Sequence, residues 1–148
     1  MEPCDPSVAE ITEIVESCDG FPSDWWGPVA EEEIAAAEQS LGIVFPRSYR
    51  AFLRSYGAGT IGYCKIFGLP GDHLWGNVVV MNQFATGHVP PHCVKFTERV
   101  GDYTYYLDTS RMDAAGECPV VVYGDDEEGT TVADSFLDFL RKVREGLV

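Results

Sequence analysis

The chain of 148 residues predicts an α+β fold, in which a mainly antiparallel sheet is covered by N-terminal helices and a C-terminal helix. Apolar residues recur at helical spacing as far as residue 56, and stretches of β-branched and aromatic residues follow between 60 and 123. Helical spacing then returns at residue 135. Because the strands follow one another without intervening helices, an antiparallel sheet is favoured over alternating βαβ units.

The first two predicted helices lie in the N-terminal part of the chain. Ser7 and Glu10 form a capping box pattern that starts the first helix, and Gly20 is a stop signal after it. The second helix is expected over 31–41, since three glutamates in its first turn complement the helix dipole. Gly42 is a natural C-terminal stop for it.

The third and last helices have equally clear signals. Pro46 suits the first position of the third helix, and Gly57 ends it. Its predicted buried face consists of Tyr49, Phe52, Leu53 and Tyr56. The last helix is expected over 135–143, with Asp134 near its cap.

Four strands are predicted from the β-branched and aromatic stretches between these helices. They are expected at 60–67, 74–81, 102–108 and 118–123. In the third of them the side chains should alternate, so that Tyr103 and Tyr105 face one way and Thr104 and Tyr106 face the other. The length suits a single domain, 1–148, with an N-terminal helix and linker at 1–28.

Composition restricts the partners and the compartment. The chain has 24 acidic and 10 basic residues, a formal net charge of −14, which disfavours direct binding to nucleic acid or to acidic lipid. A basic protein would be attracted, although many proteins are acidic only for solubility. No signal peptide, transit peptide or membrane span is expected, and five widely spaced cysteines without a CxxC pair fit the reducing cytoplasm.

The sequence contains no complete catalytic or cofactor-binding motif, so neither an enzyme nor a cofactor is predicted. One cluster, His88 with His92 and Cys93, has residue types that bind metals. Pro90 and Pro91 exclude a helix there, so a metal site would need two further ligands from elsewhere, such as Cys64 or His73. A stiff loop with solvated histidines is favoured, and no metal is predicted.

Three surface features have two interpretations each. Arg47, Arg50 and Arg54 share one helix face, and they form either an anion patch or a solvated face paired to nearby acids. The acidic run 125–128 is either a solvated turn or a contact for basic side chains of a partner; it does not match a calcium loop. Trp25 and Trp26 in the linker are either buried or an exposed binding hot spot.

Five stretches together resemble the SUKH superfamily. They are EIAAAEQSLG at 33–42, FPRSYRAFL at 45–53, GDYTYYLD at 101–108, CPVVVY at 118–123 and ADSFLDFL at 133–140. The resemblance covers about 29–140, and Ala30 departs from it where a Ser or Thr cap is usual. It implies an α+β domain with a sheet covered by helices.

The superfamily includes yeast Smi/Knr-type cell-wall regulators and many bacterial immunity proteins. The resemblance therefore implies a non-enzymatic immunity protein that binds and neutralises a cognate toxin, such as a nuclease with a basic cleft. A regulatory protein-interaction scaffold is the alternative. The residues expected to contact the partner are Trp25, Trp26, Asp125, Asp126, Glu127 and Glu128.

Overall fold

The structure, a computed structural model, describes residues 6–17, 27–61, 64–69, 77–83, 90, 92–98, 104–124 and 128–146. These residues form five α-helices, which are α1 (Pro6–Ser17), α2 (Glu31–Leu41), α3 (Arg47–Tyr56), α4 (Val78–Gln83) and α5 (Phe136–Arg144). The strands are β1 (Gly59–Ile61), β2 (Cys64–Ile66), β3 (Cys93–Glu98), β4 (Thr104–Asp108), β5 (Val120–Tyr123) and β6 (Glu128–Ala133). A single 3₁₀ turn, Thr109–Arg111, follows β4.

The six described strands form one sheet in the order in which they occur along the chain. Each strand pairs antiparallel with its neighbour, from β1 to β6. The predicted α+β class is therefore confirmed, with helices before and after the sheet. Irregularities in register interrupt the β3–β4 and β5–β6 pairs, which adds local twist.

The main core lies between one face of the sheet, which we call the inner face, and the helices. α1 packs on α3 and α5, and α5 also packs on β6. Aromatic rings fill the centre: the Tyr49 ring meets those of Phe45, Phe96 and Phe136 edge to face, with centroids 5.0 to 6.4 Å apart. The Tyr49 hydroxyl donates to the carbonyl of Phe67 at 2.6 Å, so this buried polar group is satisfied.

The N-terminus of α3 is capped by a distant part of the chain. Pro46 precedes the helix as its cap residue instead of occupying its first turn, and it has no side-chain acceptor. The amide of Arg47 donates to Gly116 O at 2.9 Å. The amide and hydroxyl of Ser48 donate to the two carboxylate oxygens of Glu117, at 3.1 and 2.6 Å. A loop far along the chain thus satisfies the first donors of α3.

The prediction of a strand over 74–81 is wrong for the part that the structure describes. Val78 begins α4, although three successive valines favour a strand. The buried Asn77 side chain decides the outcome, because its Oδ1 accepts from the amides of Val79 and Val80 at 2.9 and 3.0 Å. This is the bonding of a helix N-cap.

Other boundaries also differ from the predictions. The strand expected over 60–67 is a hairpin, β1 and β2, in which Ile61 pairs with Cys64. Strands β3 and β6 are additional to the predicted strands. Polar residues interrupt the β-formers of β3, and a glutamate and a glycine begin β6. The prediction of a capping box at Ser7 is also wrong. Pro6 already begins α1, and the Glu10 carboxylate accepts hydrogen bonds from Nε and Nη2 of Arg141 of α5.

The predictions for α2, for the end of α3 and for the position of α5 are confirmed, whereas Gly20, the predicted stop of the first helix, lies outside the described residues. Helix α2 begins and ends where expected, and Gly42 closes it in the left-handed conformation at φ 69°. Gly57 ends α3. In α5 the cap is Ser135, whose hydroxyl accepts from the amide of Asp138 at 3.0 Å.

Candidate functional site on the outer face of the sheet

The candidate site lies on the sheet face opposite the helices, which we call the outer face. Because side chains alternate along a strand, Tyr105 and Leu107 enter the main core, whereas Tyr106 and Asp108 point the other way. The predicted division of these two tyrosines between the faces is thus confirmed. A second apolar cluster, made by Cys93, Tyr106 and Val121, lies here apart from the main core.

An arginine side chain crosses the outer face. Arg111 Nε donates to Asp108 Oδ2 at 2.8 Å, and Arg111 Nη2 donates to Thr131 Oγ1 at 3.0 Å. Asp108 ends β4 and Thr131 belongs to β6, so the side chain reaches across the intervening β5. Its side chain is 50% exposed. The outer face therefore presents a guanidinium group held in one orientation by two strands.

The carboxylate of Asp108 is the anchor of this arrangement. Its Oδ1 accepts from the amide and the hydroxyl of Ser110, at 3.2 and 2.6 Å. Burial by itself would raise the pKa of Asp108, but the hydrogen bonds from Ser110 and Arg111 outweigh it and lower the pKa. Asp108 is therefore ionised at neutral pH and pairs with Arg111.

Two potential metal ligands lie beside Asp108. Cys93 is its direct partner across the β3–β4 ladder, and His92 immediately precedes Cys93. The ligand atoms of the three residues all lie within 4.8 Å of one another, and His92 Nε2 is 3.5 Å from Asp108 Oδ1. Of the residues named for a metal site from sequence, His92 and Cys93 come together. His88, His73 and the Cys64 side chain lie outside the described residues.

The same three residue types also occur in cysteine-dependent enzymes, but the thiol here has the wrong properties. Burial, and then the negative charge of Asp108, raise the pKa of Cys93 to about 11. A nucleophilic cysteine needs a lowered pKa, because the thiolate is the reactive form. Cys93 is therefore protonated at neutral pH, the opposite of what an activated nucleophile requires.

Aromatic side chains continue the outer face toward one end of the β5–β6 pair. The rings of Tyr106 and Tyr123 meet edge to face, with centroids 5.3 Å apart. Gly129 lies under the Tyr123 hydroxyl, and a Cβ at this glycine would stand 3.0 Å from it. Tyrosine and arginine are the residue types that protein interfaces favour.

The residues predicted to contact a partner fall largely outside the described part of the chain. Trp25, Trp26, Asp125, Asp126 and Glu127 all lie there. Glu128, for which the structure describes the backbone, begins β6 and pairs with Tyr123.

For Arg50 and Arg54, the structure decides between the two interpretations of the arginines that share one face of α3. Arg50 Nη2 donates to Glu31 Oε1, and Arg54 Nη1 lies 3.8 Å from Glu31 Oε2. This part of the helix face is paired with acids and is not an open anion patch.

Sequence reasoning did not identify Arg111, and the only local signal was an aspartate three residues before it, at a spacing that allows an ion pair.

The fold and the outer face define an α+β domain that has helices on one side of an antiparallel meander and fixed polar and aromatic groups on the other. A sequence model of the SMI1 / KNR4 family (SUKH-1) matches residues 28–142, so the chain belongs to this family. The family includes toxin-immunity proteins and cell-wall regulators, which are generally non-catalytic. Among the described residues, no helix is both long and apolar enough to cross a membrane.

Proposed function

We propose that this protein is a non-enzymatic immunity protein that binds a cognate toxin and neutralises it in the cytoplasm. The observation that carries the proposal is membership of the SUKH-1 family together with a formal net charge of −14. A nuclease is a toxin of the matching chemistry, because its active-site cleft is basic in order to hold phosphates.

The proposed mechanism is occlusion by mimicry of phosphates. Carboxylates of the immunity protein occupy the positions of the phosphate groups and accelerate encounter with the basic toxin. An aromatic anchor then slows release, which is where affinity differences mostly arise. Trp25 and Trp26 are the proposed anchors, and Asp125, Asp126, Glu127 and Glu128 are the proposed acids.

The β5–β6 pair supports the choice of the acidic run. Because Glu128 pairs with Tyr123, the end of the run lies beside the aromatic end of the outer face. Arg111 reaches β6 on the same face and can pair with an acidic residue on the partner. A sheet that holds Tyr123 and the backbone of Glu128 in a paired ladder loses little conformational entropy at these two residues when a partner binds.

Affinity capture from the source cell, at low and at moderate salt, tests the proposal. We expect one basic protein whose killing activity is blocked when the two proteins are co-expressed. The acidic run is then neutralised by Asn and Gln substitutions at 125–128. The control changes four exposed acids of α1 and α2 to Gln, which removes the same charge; these are Glu13, Glu16, Glu32 and Glu33.

The two variants separate a local contact from a general charge effect. We expect the 125–128 variant to associate about tenfold more slowly at low salt and to show a weaker salt dependence than the control. Equal behaviour of the two variants would refute the acidic run as the contact. Capture of a protein whose killing is not blocked would refute the immunity role.

A regulatory scaffold is the second candidate, since the matching family also includes cell-wall regulators. A scaffold predicts capture of several host proteins and no protection against a toxin. In that case the high negative charge serves solubility.

A further inference from the structure

The cluster of His92, Cys93 and Asp108 carries an inference that is independent of the partner. We propose that these three side chains form a transition-metal site for Zn²⁺, with Nε2, Sγ and Oδ1 as ligands. One donor atom of each residue lies within 4.8 Å of those of the other two. Cys93 and Asp108 belong to adjacent strands, and His92 immediately precedes β3. The direct pairing of Cys93 with Asp108 across the ladder brings the thiol and the carboxylate to the same face.

The distances are close to those that a tetrahedral ion requires. With ligand bonds of 2.0 to 2.3 Å, the nitrogen and oxygen of a Zn²⁺ site stand about 3.3 Å apart, and sulfur and oxygen about 3.6 Å. His92 Nε2 and Asp108 Oδ1 are 3.5 Å apart before any adjustment. The separations that involve Cys93 Sγ are within 4.8 Å and must close by roughly 1 Å. Rotation of the His92 ring, whose side chain is 42% exposed, adjusts the distance from nitrogen to sulfur, and rotation of the Cys93 side chain adjusts the distance from sulfur to oxygen.

The backbone around the site is fixed, so little order has to be gained when a metal binds. The carbonyl of His92 accepts from both the amide and the hydroxyl of Thr109, at 3.1 and 2.6 Å. The amide of Cys93 donates to Pro90 O at 3.0 Å, and the amide of Asp108 donates to Pro119 O at 3.0 Å.

The groups around Asp108 already orient its carboxylate as a ligand. Arg111 holds Oδ2, so Oδ1 is the oxygen that faces His92. Ser110 contacts Oδ1 from the other direction through its amide and hydroxyl. Such second-shell hydrogen bonds position metal ligands in known sites. The positive charge of Arg111 lowers the affinity, but it also compensates part of the negative charge of a thiolate and a carboxylate around the ion.

The donor set selects the metal. Binding of the ion releases the Cys93 proton to solvent, since coordination deprotonates a thiol even when its free pKa is raised. The resulting thiolate and the imidazole favour Zn²⁺ or Co²⁺ over Mg²⁺ and Ca²⁺, which prefer oxygen ligands. Three protein ligands leave the fourth position of a tetrahedral ion open. Because the His92 side chain is 42% exposed, solvent reaches the cluster, and water or a side chain of another molecule can complete the site.

Titration of the reduced, chelator-treated full chain with Co²⁺ and then Zn²⁺ tests the proposal. We expect a sulfur-to-cobalt charge-transfer band in the near ultraviolet, which Zn²⁺ abolishes by displacement. Cys93→Ser should remove the band. The matched control is Cys118→Ser, which changes the other described buried cysteine and should leave the band intact.

His92→Ala provides a second test that changes no buried position, because the His92 side chain is half-exposed. It remains informative even where Cys93→Ser impairs folding. Loss of this ligand should weaken Zn²⁺ binding by more than about 100-fold, since even second-shell changes cost about 10- to 100-fold. Ser110→Ala should fall within that second-shell range. Far-ultraviolet circular dichroism of the metal-free proteins confirms that each variant is folded.

Three results would overturn the proposal. The first is the absence of a sulfur-to-cobalt band in the folded wild-type protein. The second is a band that persists unchanged in Cys93→Ser, which would assign the metal to another cysteine. The third is unchanged Zn²⁺ affinity in folded His92→Ala.

Discussion

Glu117 provides the most informative perturbation of the fold, because it caps a helix from 69 positions away along the chain. The Glu117 carboxylate accepts hydrogen bonds from the amide and the hydroxyl of Ser48, a residue that is 0% exposed. We predict that Glu117→Ala destabilises the protein strongly and that Glu117→Gln, which keeps one acceptor oxygen, has an intermediate effect. Both changes leave the main core untouched.

The magnitude follows from the bonds that are lost. A helix N-cap contributes about 0.5–2 kcal/mol, and a buried donor left without a partner costs about 1–3 kcal/mol. Glu117→Ala removes the cap and leaves two donors of Ser48 unsatisfied, so we expect about 3 kcal/mol. The Gln variant should lose about half of that. At about 2–4 °C per kcal/mol for a chain of this size, Tm falls by about 6–12 °C in the Ala variant.

Calorimetry and urea unfolding of both variants at neutral pH measure this loss. The matched control is Glu32→Gln, which removes an exposed carboxylate from the first turn of α2; within the described part of the chain this carboxylate has no ion pair or hydrogen bond and interacts through the helix dipole. The control should cost below about 1 kcal/mol. If Glu117→Ala costs no more than the control, the distant cap does not stabilise α3 and the reasoning is refuted.

Three further predictions concern thiols, a glycine and a carboxylate. Burial raises the pKa of Cys93 to about 11 and that of Cys118 to about 12. At pH 8 both should therefore alkylate at least about 200-fold more slowly than an ordinary thiol, with rates rising about tenfold per pH unit. Gly68→Ala should cost about 3 kcal/mol or more in urea unfolding, because its Cβ would stand 1.7 Å from Gly57 O. Asp108→Asn should destabilise at neutral pH. The pKa of Asp108 is lowered by folding, so the difference from wild type should persist above about pH 5, shrink as pH falls below about 4, and be lost once pH falls through the lowered pKa of the folded protein.

Each of these has its own control. Peptide mapping by mass spectrometry separates the two buried cysteines from the others, and labelling of Cys93 at the rate of an unfolded chain would contradict the first prediction. Gly42→Ala has open space for its Cβ but a φ of 69°, so it isolates backbone strain at about 1–2 kcal/mol. An equal cost at Gly68 would contradict the steric argument. The Asp108 comparison is made with chelator present, and a constant difference down to pH 3 would contradict the linkage.

Local signals determined the elements that depend on nearest neighbours. The bounds of α2 follow from the glutamates in its first turn and from Gly42, because these residues act on backbone groups within one turn. The alternation of Tyr105 and Tyr106 between the two faces follows from strand geometry alone. The α+β class follows from the order of such elements along the chain.

Where sequence reasoning failed, a contact with another part of the molecule decided the structure. Asn77 turns a run of valines into a helix by capping it. The Asn82 side chain also bonds backbone groups of another element, the strand β3. Its amide nitrogen donates to Lys95 O at 2.9 Å, and its amide oxygen accepts from Lys95 N at 2.8 Å. It thus bonds backbone groups of β3 next to the point where the β2 ladder stops. Propensity cannot report such bonds, because their partners lie in other elements.

The candidate site likewise contains residues that the sequence pointed to and contacts that only the structure revealed. The sequence showed that His88, His92 and Cys93 are of residue types that bind metals, but it predicted no metal and offered Cys64 or His73, not Asp108, as further ligands. It gave no sign that Arg111 reaches Thr131, since that contact exists only because β4, β5 and β6 lie side by side. By itself the sequence determined the fold class, the family and the charge, because these depend on composition and on short-range pattern. Only the tertiary structure decided which side chains meet on the outer face, because register and strand order bring together residues that are distant in the chain.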